Sequence, residues 1–192
     1  MEWLSRLALA WRHIGRLSRC RRNPVYVEDM TPQWLASLGA QAIILDHDGV
    51  LGPNGSEGPD ETGGMLVRNA VKVFGPGLVF ILSNTHTRRE ARREHYEEWF
   101  KEVIYLTAKR KPDPDGVSQA SWACGAPMER IAVVDDGLLT GILMAVEAGA
   151  IPVYGIRRRM DESILAMVIR LITTAPQIVT VWVISIFSFG KR

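Results

Sequence analysis

The sequence predicts an α/β protein with a Rossmann-like parallel sheet and helices on both of its faces. Short apolar runs alternate with helical patterns from residue 41 to about residue 155, which is typical of a parallel sheet covered on both sides. Several of these runs end directly in polar or acidic residues, and such folds bind ligands beyond the carboxyl ends of their strands. The chain has 192 residues, 47% of them hydrophobic, which suffices for one domain with a sizeable core.

The N-terminal segment, residues 1–22, predicts a basic amphipathic helix. Apolar residues recur at near-helical spacing across residues 3–17, and arginines occupy the other faces. Residues 1–22 carry six arginines against Glu2 as their one acidic residue. Three interpretations are open: the helix packs on the domain, it contacts a membrane surface, or residues 1–22 form an arginine-rich organelle transit peptide.

A domain is predicted over residues 24–158. Asn23-Pro24 breaks the first helix, and Thr31-Pro32 begins a short helix that Gly39 ends, because threonine caps helix N-termini and proline suits the first turn. Strands and helices then alternate. Strands are predicted at Ala42–Leu45, Leu78–Leu82, Val103–Leu106, Ile131–Val134 and Ile151–Val153, and helices near residues 62–74, 88–101, 114–124 and 138–148.

The C-terminal segment, residues 160–192, includes a strongly apolar run over residues 178–189. This run is too short to span a bilayer as a helix, and a longer helix from Ile164 is expected to be interrupted around Pro176. Several roles are open for the run. It can lie in a membrane interface, pair as a strand, mediate self-association, or pack against the domain or the N-terminal helix.

Charge and cysteine content narrow the class of protein. The net charge is +2, so the molecule as a whole is not a binder of polyanions, and no nucleic-acid partner is expected. Cys20 and Cys124 show no ligand-like spacing, which indicates a reduced compartment. No secretory signal is recognisable, since the early apolar run Leu7–Trp11 is short and flanked by arginines. We expect a cytoplasmic protein, peripheral on the inner face of a membrane if its ends bind lipid, or an organelle-matrix protein if residues 1–22 are a transit peptide.

Polar side chains directly follow three of the predicted strands, and a lysine lies in a loop between a strand and a helix. Because the carboxyl ends of parallel strands meet at one edge of a sheet, we expect these side chains to converge. In chain order they are Asp46, Asp48, Ser83, Asn84, Lys111, Asp135 and Asp136.

These residue types fit phosphoryl transfer. A phosphate monoester carries about two negative charges near neutral pH, so bare carboxylates would repel it. Mg²⁺ held by carboxylates removes that repulsion; one carboxylate can then attack phosphorus, and another can protonate the leaving oxygen and activate water. Ser83 and Lys111 can hold the transferred oxygens, and Gly49 permits a tight backbone path that lets main-chain amides face the phosphate.

The ordered motifs resemble those of the haloacid dehalogenase superfamily of aspartate-nucleophile phosphatases, over roughly residues 41–155. The motifs are DHDGV at residues 46–50, Ser83-Asn84, Lys111-Pro112 and Asp135-Asp136. The resemblance implies a haloacid-dehalogenase-like core and Mg²⁺ as cofactor. PVY at residues 24–26, Arg89 and the GLLT sequence at residues 137–140 resemble more closely the YqeG-type branch, which includes phosphatidylglycerophosphate phosphatases.

The resemblance also implies a role for each motif residue. Asp46 is the nucleophile and Asp48 the general acid and base. The implied phosphate-binding residues are Gly49, Ser83, Asn84 and Lys111, and the implied metal-binding residues are Asp46, Asp48, Asp135 and Asp136. Arg89 and His86 are candidates for contact with the substrate.

This sequence departs from the family pattern in its fourth motif. An aspartate of the family falls on Gly141, which has no side chain, so one acidic group near the metal is lost. Asp135 stands where glycine is usual, so the pair Asp135-Asp136 can compensate. Val50 replaces a more common threonine, a change tolerated elsewhere in the superfamily. The departures leave a second interpretation open, a catalytically degenerate membrane-associated adaptor that keeps the fold.

The spacing of the motifs leaves no room for a cap domain. Only 34 residues separate Asp48 from Ser83, and only 27 separate Ser83 from Lys111. The segment Gly52–Gly64 is at most a flap. An open site suits a phosphate group carried by a large molecule. The basic N-terminal segment and the apolar run over residues 178–189 both suit contact with a membrane, which favours an anionic lipid such as phosphatidylglycerophosphate as the substrate. The alternative substrate class is a soluble sugar or nucleotide phosphate.

Overall fold

The computed structural model describes residues 2–84, 88–158 and 164–189. The strands are β1 (Val25–Tyr26), β2 (Ala42–Asp46), β3 (Val79–Leu82), β4 (Ile104–Tyr105), β5 (Ile131–Asp135) and β6 (Ile151–Ile156). The α-helices are α1 (Glu2–Arg12), α2 (Ile14–Arg22), α3 (Pro32–Ser37), α4 (Glu61–Phe74), α5 (Arg89–Trp99), α6 (Asp115–Cys124), α7 (Gly141–Glu147) and α8 (Ile164–Phe189). Short 3₁₀ turns occupy Val27–Asp29 and Met128–Arg130.

The six described strands form one parallel sheet in the order β1-β6-β5-β2-β3-β4. The register places Asp46 opposite Leu82 and pairs Leu45 with Val134, so β2, β3 and β5 end at nearly the same level. The predicted α/β class with an all-parallel sheet is confirmed. The polar residues that follow these strands therefore share one edge of the sheet.

Helices cover both faces of the sheet because alternate strand residues point in opposite directions. Ile43 and Leu45 of β2 join a buried cluster that contains Leu66 of α4. Ile44 joins a second cluster on the other face, together with Met144 of α7. The near-continuous apolar runs of the sequence are thus explained by burial on both sides.

The predicted strands and helices of the domain are found within a few residues of their expected positions, but β1 was missed. β1 has two residues and pairs only with β6, at the edge of the sheet. A strand of that length after Pro24 carries no readable alternation. As predicted, Thr31 caps the short helix α3, its hydroxyl accepting a hydrogen bond from the Trp34 amide at 3.2 Å.

The N-terminal segment contains two helices, so the prediction of one continuous helix over residues 3–17 was wrong. The helix breaks at His13, whose ring nitrogen Nε2 lies 2.6 Å from Glu147 Oε2 at the end of α7. Arg16 also donates to the Val146 carbonyl at 3.2 Å. These contacts fasten α2 to α7, as the domain-packing interpretation requires.

The C-terminal helix α8 runs through Pro176, so the predicted interruption there was also wrong. Pro176 is exposed, and the carbonyl that loses its partner to a proline can be satisfied by water on such a face. Val181 and Ile184 are buried in a cluster with Ile14 and Leu17 of α2. Residues 178–189 are helical and do not pair as a strand.

The outer face of α8 is apolar as well. Its exposed apolar residues are Ile172, Val179, Trp182, Val183 and Ile186. Across the parts of the chain that the structure describes, no helix has both the length and the apolar character needed to cross a membrane.

Candidate functional site

Three carboxylates meet where β2 and β5 end. Asp46, Asp135 and Asp136 each offer an oxygen atom, and these atoms lie within 4.8 Å of one another. Asp46 is 6% exposed and Asp135 is 1% exposed. Oxygen atoms at this separation match the donor set of a hard divalent cation such as Mg²⁺. The predicted convergence of the strand ends is therefore present for these residues.

Lys111 reaches into the same cluster from the loop before α6. Its Nζ donates to Asp46 Oδ1 at 2.5 Å and to Asp135 Oδ2 at 2.6 Å. Burial opposes the charged ammonium, but Asp135 and Asp46 outweigh it and raise the pKa of Lys111 above its ordinary value. Lys111 is therefore a fixed positive charge beside the carboxylates.

The surroundings of Asp46 disfavour the ionised form of its carboxyl group. Burial raises its pKa well above the ordinary value; Lys111 lowers it, while Asp135, Asp48 and Asp136 raise it further. The cluster thus has more negative charge than its lysine neutralises. A bound divalent cation would remove that excess, so the residues present fit the metal that the sequence predicted.

Gly49 allows Asp136 to approach the first motif. Its φ is +90°, and a Cβ built on it would overlap the Asp136 carboxylate. The Gly49 amide donates to the Gly52 carbonyl at 2.9 Å, so in this structure that amide is used within its own turn. The glycine is thus required both for the backbone conformation and for space beside a metal-binding carboxylate.

Replacing Gly49 by alanine is expected to weaken Mg²⁺ binding at least about tenfold, because the new methyl group displaces Asp136 and the backbone is strained. Titration calorimetry with Mg²⁺ measures the change. Gly125→Ala is the matched control, since Gly125 also has a positive φ (+72°) but no atom lies within 4 Å of the position of its Cβ. Equal Mg²⁺ affinities in the two variants would contradict this role of Gly49.

Asp135 occupies the space above Gly141, the position at which the sequence lacks an expected carboxylate. A Cβ on Gly141 would overlap the carboxylate of Asp135. Asp135 in turn accepts a hydrogen bond from the Gly137 amide at 2.7 Å and the one from Lys111. The space beside Gly141 is therefore filled by a carboxylate from the end of β5.

Asp48 is separate from this acidic cluster of the described residues. Its two oxygens each accept from Arg92, Oδ2 from Nη1 and Oδ1 from Nη2, both at 2.7 Å. Ser83 Oγ donates to Asp48 Oδ2 at 2.9 Å and accepts from Arg92 Nη1 at 2.6 Å. Burial opposes ionisation of Asp48, but hydrogen bonds and charge from Arg92 outweigh it and lower its pKa below the ordinary value.

Arg92 is the functional candidate that sequence reasoning missed. The run EARREHYEE, residues 90–98, is dominated by charged residues and therefore favours a solvated helix face, yet Arg92 is 0% exposed and Tyr96 is 1% exposed. That expectation is wrong for these two residues because α5 must turn one face to the sheet and has few apolar residues for it. Their spacing of four residues was the available signal.

The segment between β2 and α4 is fastened over Asp48. The Arg92 Nε donates to the Ser56 carbonyl at 2.8 Å, and the Gly55 amide donates to Asp48 Oδ1 at 3.0 Å. His47 points away from the acidic cluster, with Nδ1 2.9 Å from the Tyr96 hydroxyl. Burial, helped by Arg92, lowers the pKa of His47 to about 4, so the ring is neutral at neutral pH.

Two further sequence candidates, Asn84 and Arg89, belong to the described residues. Asn84 Oδ1 accepts from the Lys111 amide at 2.8 Å, so it positions the lysine loop. Arg89 is half-buried at the start of α5. His86 lies outside the described residues.

The C-terminal helix also reaches the site. Gln177 Oε1 of α8 accepts from the Leu139 amide at 2.8 Å, in the loop that follows Asp135 and Asp136. Leu138 and Leu139 are buried in the cluster that contains Val181. The terminal helices therefore support the loop that carries two of the carboxylates, a contact that no sequence pattern indicated.

Comparison with known proteins assigns no function to the chain. No protein-family model and no curated protein matches the chain. A crystal structure of an uncharacterized protein from Corynebacterium glutamicum ATCC 13032 Kitasato is 26% identical, with 71% of this chain and 96% of that chain covered and a TM-score of 0.45. A match at that TM-score assigns neither a fold nor a function to this chain.

Proposed function

We propose that the protein is a Mg²⁺-dependent phosphomonoester hydrolase of the haloacid dehalogenase type, working through an aspartyl-phosphate. One observation carries the proposal: Lys111 Nζ lies between Asp46 and Asp135, and Asp136 completes a compact group of acidic oxygens beside it. A lysine and several carboxylates in contact provide a nucleophile, a cation site and a positive charge for the transferred oxygens.

Asp46, Asp135 and Asp136 would hold the Mg²⁺. When bound, the ion would neutralise the substrate phosphate and draw electron density from its oxygens. Asp46 would remain the nucleophile, because a carboxylate has two oxygens, one that could help to hold the ion and one that could attack phosphorus. Lys111 supports the phosphoryl oxygens as a fixed point charge.

The reaction proceeds in two steps. An Asp46 oxygen attacks phosphorus, the bond from phosphorus to the ester oxygen breaks, and the departing oxygen takes a proton from solvent water, because Arg92 keeps Asp48 ionised. A water molecule oriented by the Asp48 carboxylate then attacks phosphorus and the bond from phosphorus to Asp46 breaks, so that inorganic phosphate leaves with the protons of that water and the Asp46 carboxylate is restored. Ser83, at the end of β3, would turn its hydroxyl from Asp48 to donate to the transferred group.

The lack of a cap domain between β2 and α4 and the character of the terminal helices support a lipid phosphate as substrate. Residues 47–60 form turns and no helix, so this segment is too small to build a cap domain. The basic helices α1 and α2 pack with α7 and with the buried residues of α8, which also carries exposed apolar residues. Arginines beside apolar side chains suit an anionic membrane surface, so phosphatidylglycerophosphate or a similar lipid is the proposed substrate.

The adaptor interpretation depended on the carboxylate missing at Gly141. Asp135 fills that space and contacts Lys111, which supports a working site over a degenerate one. The soluble-phosphatase alternative keeps the same chemistry and differs only in how the phosphate is presented.

A substrate panel tests the proposal on the full chain. We expect release of inorganic phosphate that requires Mg²⁺ and stops with EDTA, at rates at least about tenfold higher for phosphatidylglycerophosphate in anionic vesicles than for sugar or nucleotide phosphates. Equal rates on soluble phosphates, without vesicle binding in a flotation assay, would support the soluble phosphatase. Vesicle binding without phosphate release or Mg²⁺ binding would support the adaptor and contradict the proposal.

A further inference from the structure

Arg92 has an environment that packing alone does not explain. Its side chain is 0% exposed, yet its guanidinium group makes four hydrogen bonds to groups of the site region. Removing a guanidinium from water is costly, and an apolar side chain such as methionine fills similar space without that cost. The contacts of Arg92 therefore point to a role at the site.

The guanidinium fork fixes the orientation of Asp48. Its two terminal nitrogens each donate to a different Asp48 oxygen, so the carboxylate plane is set by a bidentate contact and cannot rotate freely. The same Nη1 also contacts Ser83 Oγ, which donates to Asp48. Arg92, Asp48 and Ser83 thus form one hydrogen-bonded unit.

This unit also keeps Asp48 apart from the acidic cluster. Asp46 and Asp48 are two residues apart on one chain segment, and a fourth carboxylate in the cluster would compete for the cation. Arg92 pairs with Asp48 instead, while Lys111 pairs with Asp46 and Asp135. Each of these two positively charged side chains thus pairs with its own set of carboxylates.

We propose that Arg92 is the positioning residue for Asp48: its guanidinium fork holds the Asp48 carboxylate where it can direct water onto the phosphorylated Asp46. The inference rests on the proposed function, because it assigns a partner to the carboxylate that orients water in that reaction. Arg92 is buried and touches Asp48 and Ser83, so it acts through them. Without Arg92, the aspartyl-phosphate still forms but its hydrolysis slows.

The experiment compares Arg92→Met and Arg92→Lys with the wild type, using p-nitrophenyl phosphate and Mg²⁺. Its leaving group needs no protonation, so the measurement isolates the second step. We expect kcat of Arg92→Met to fall by about 100-fold or more, with KM changed less than about threefold. Acid-quenched protein should carry more phosphate on Asp46 than the wild type carries. Arg92→Lys should recover part of kcat, because lysine restores the charge but not the fork.

A double-mutant cycle separates positioning from a general structural role. In an Asp48→Asn background, Arg92→Met should lower kcat less than about threefold further, because the residue it positions has already lost its function. The double variant leaves no unpaired charge buried. If Arg92→Met alone does not fold, the double variant and Arg92→Lys therefore serve as the test.

The outcomes are distinguishable. A wild-type kcat in the folded Arg92 variants, or a full additive loss in the Asp48→Asn background, would overturn the positioning role and leave the proposed function standing. A wild-type protein that neither releases phosphate nor carries it on Asp46 would overturn the proposed function, and the inference with it.

Discussion

Replacing Asp46 by asparagine is expected to abolish phosphatase turnover while the fold stays intact. The amide cannot attack phosphorus, and removal of a catalytic nucleophile lowers kcat by about 10³-fold or more. Asp46 is buried beside Lys111, and asparagine has nearly the same size, so the packing at the end of β2 is preserved. Phosphate release with Mg²⁺ and labelling of the acid-quenched protein measure the loss.

The same substitution is expected to preserve or raise the stability of the metal-free protein. The pKa of Asp46 is raised in the folded state, so the folded protein binds this proton more tightly than the unfolded protein does. Stability is then lost as pH rises from the unfolded pKa through the folded pKa, because ionising Asp46 is harder in the folded protein than in the unfolded chain. Asparagine carries no charge at this position and removes that penalty.

Mg²⁺ should make the wild type more stable than Asp46→Asn. At a concentration of about 100 times its Kd, a ligand adds about 2.7 kcal/mol to the free energy of unfolding, or roughly 5 to 10 °C in Tm for a protein of this size. The wild type should show this shift and Asp46→Asn a smaller one. Asp29→Asn, at an exposed ion pair with Arg158, is the control and should respond to Mg²⁺ like the wild type. Full turnover in Asp46→Asn would end the aspartyl-phosphate mechanism.

The cluster of carboxylates at the edge of the sheet was predictable because each strand and the carboxylate that ends it can be recognised in a short stretch of sequence. Apolar runs such as Ala42–Leu45 end abruptly in carboxylates, and a parallel sheet places the carboxyl ends of its strands together. The structure accordingly brings Asp46, Asp135, Asp136 and Lys111 into one cluster. The sequence could not predict which carboxylate each cation contacts, since that depends on side-chain geometry across three strands.

Arg92 and the terminal helices were harder to predict because both depend on contacts between residues that are distant in sequence. The sequence around Arg92 is dominated by charged residues, and burial of one arginine becomes favourable only when Asp48 and Ser83 are present to bind it. Similarly, α8 continues through Pro176 because tertiary packing of Val181 and Ile184 stabilises the helix. Local propensity is outweighed in both places by contacts between residues distant in sequence.

Exchanging the residues at positions 135 and 141 is expected to preserve activity that either single change destroys. Asp135→Gly removes a carboxylate partner of Lys111, and Gly141→Asp forces a second carboxylate into the space that Asp135 occupies. Each single variant should lose about 100-fold or more in kcat/KM, through a lost charge in one case and through overlap and like-charge repulsion in the other.

The double variant Asp135→Gly/Gly141→Asp should recover to within about tenfold of the wild type. It removes the overlap and returns one carboxylate to the same space from the other side, in the first turn of α7, where the helix dipole favours an acidic residue. Measured kcat/KM values for the four proteins give the coupling directly. Recovery would mean that the site requires a carboxylate at this point in space, whichever backbone position supplies it, whereas losses that simply add would show that Asp135 acts only from the end of β5.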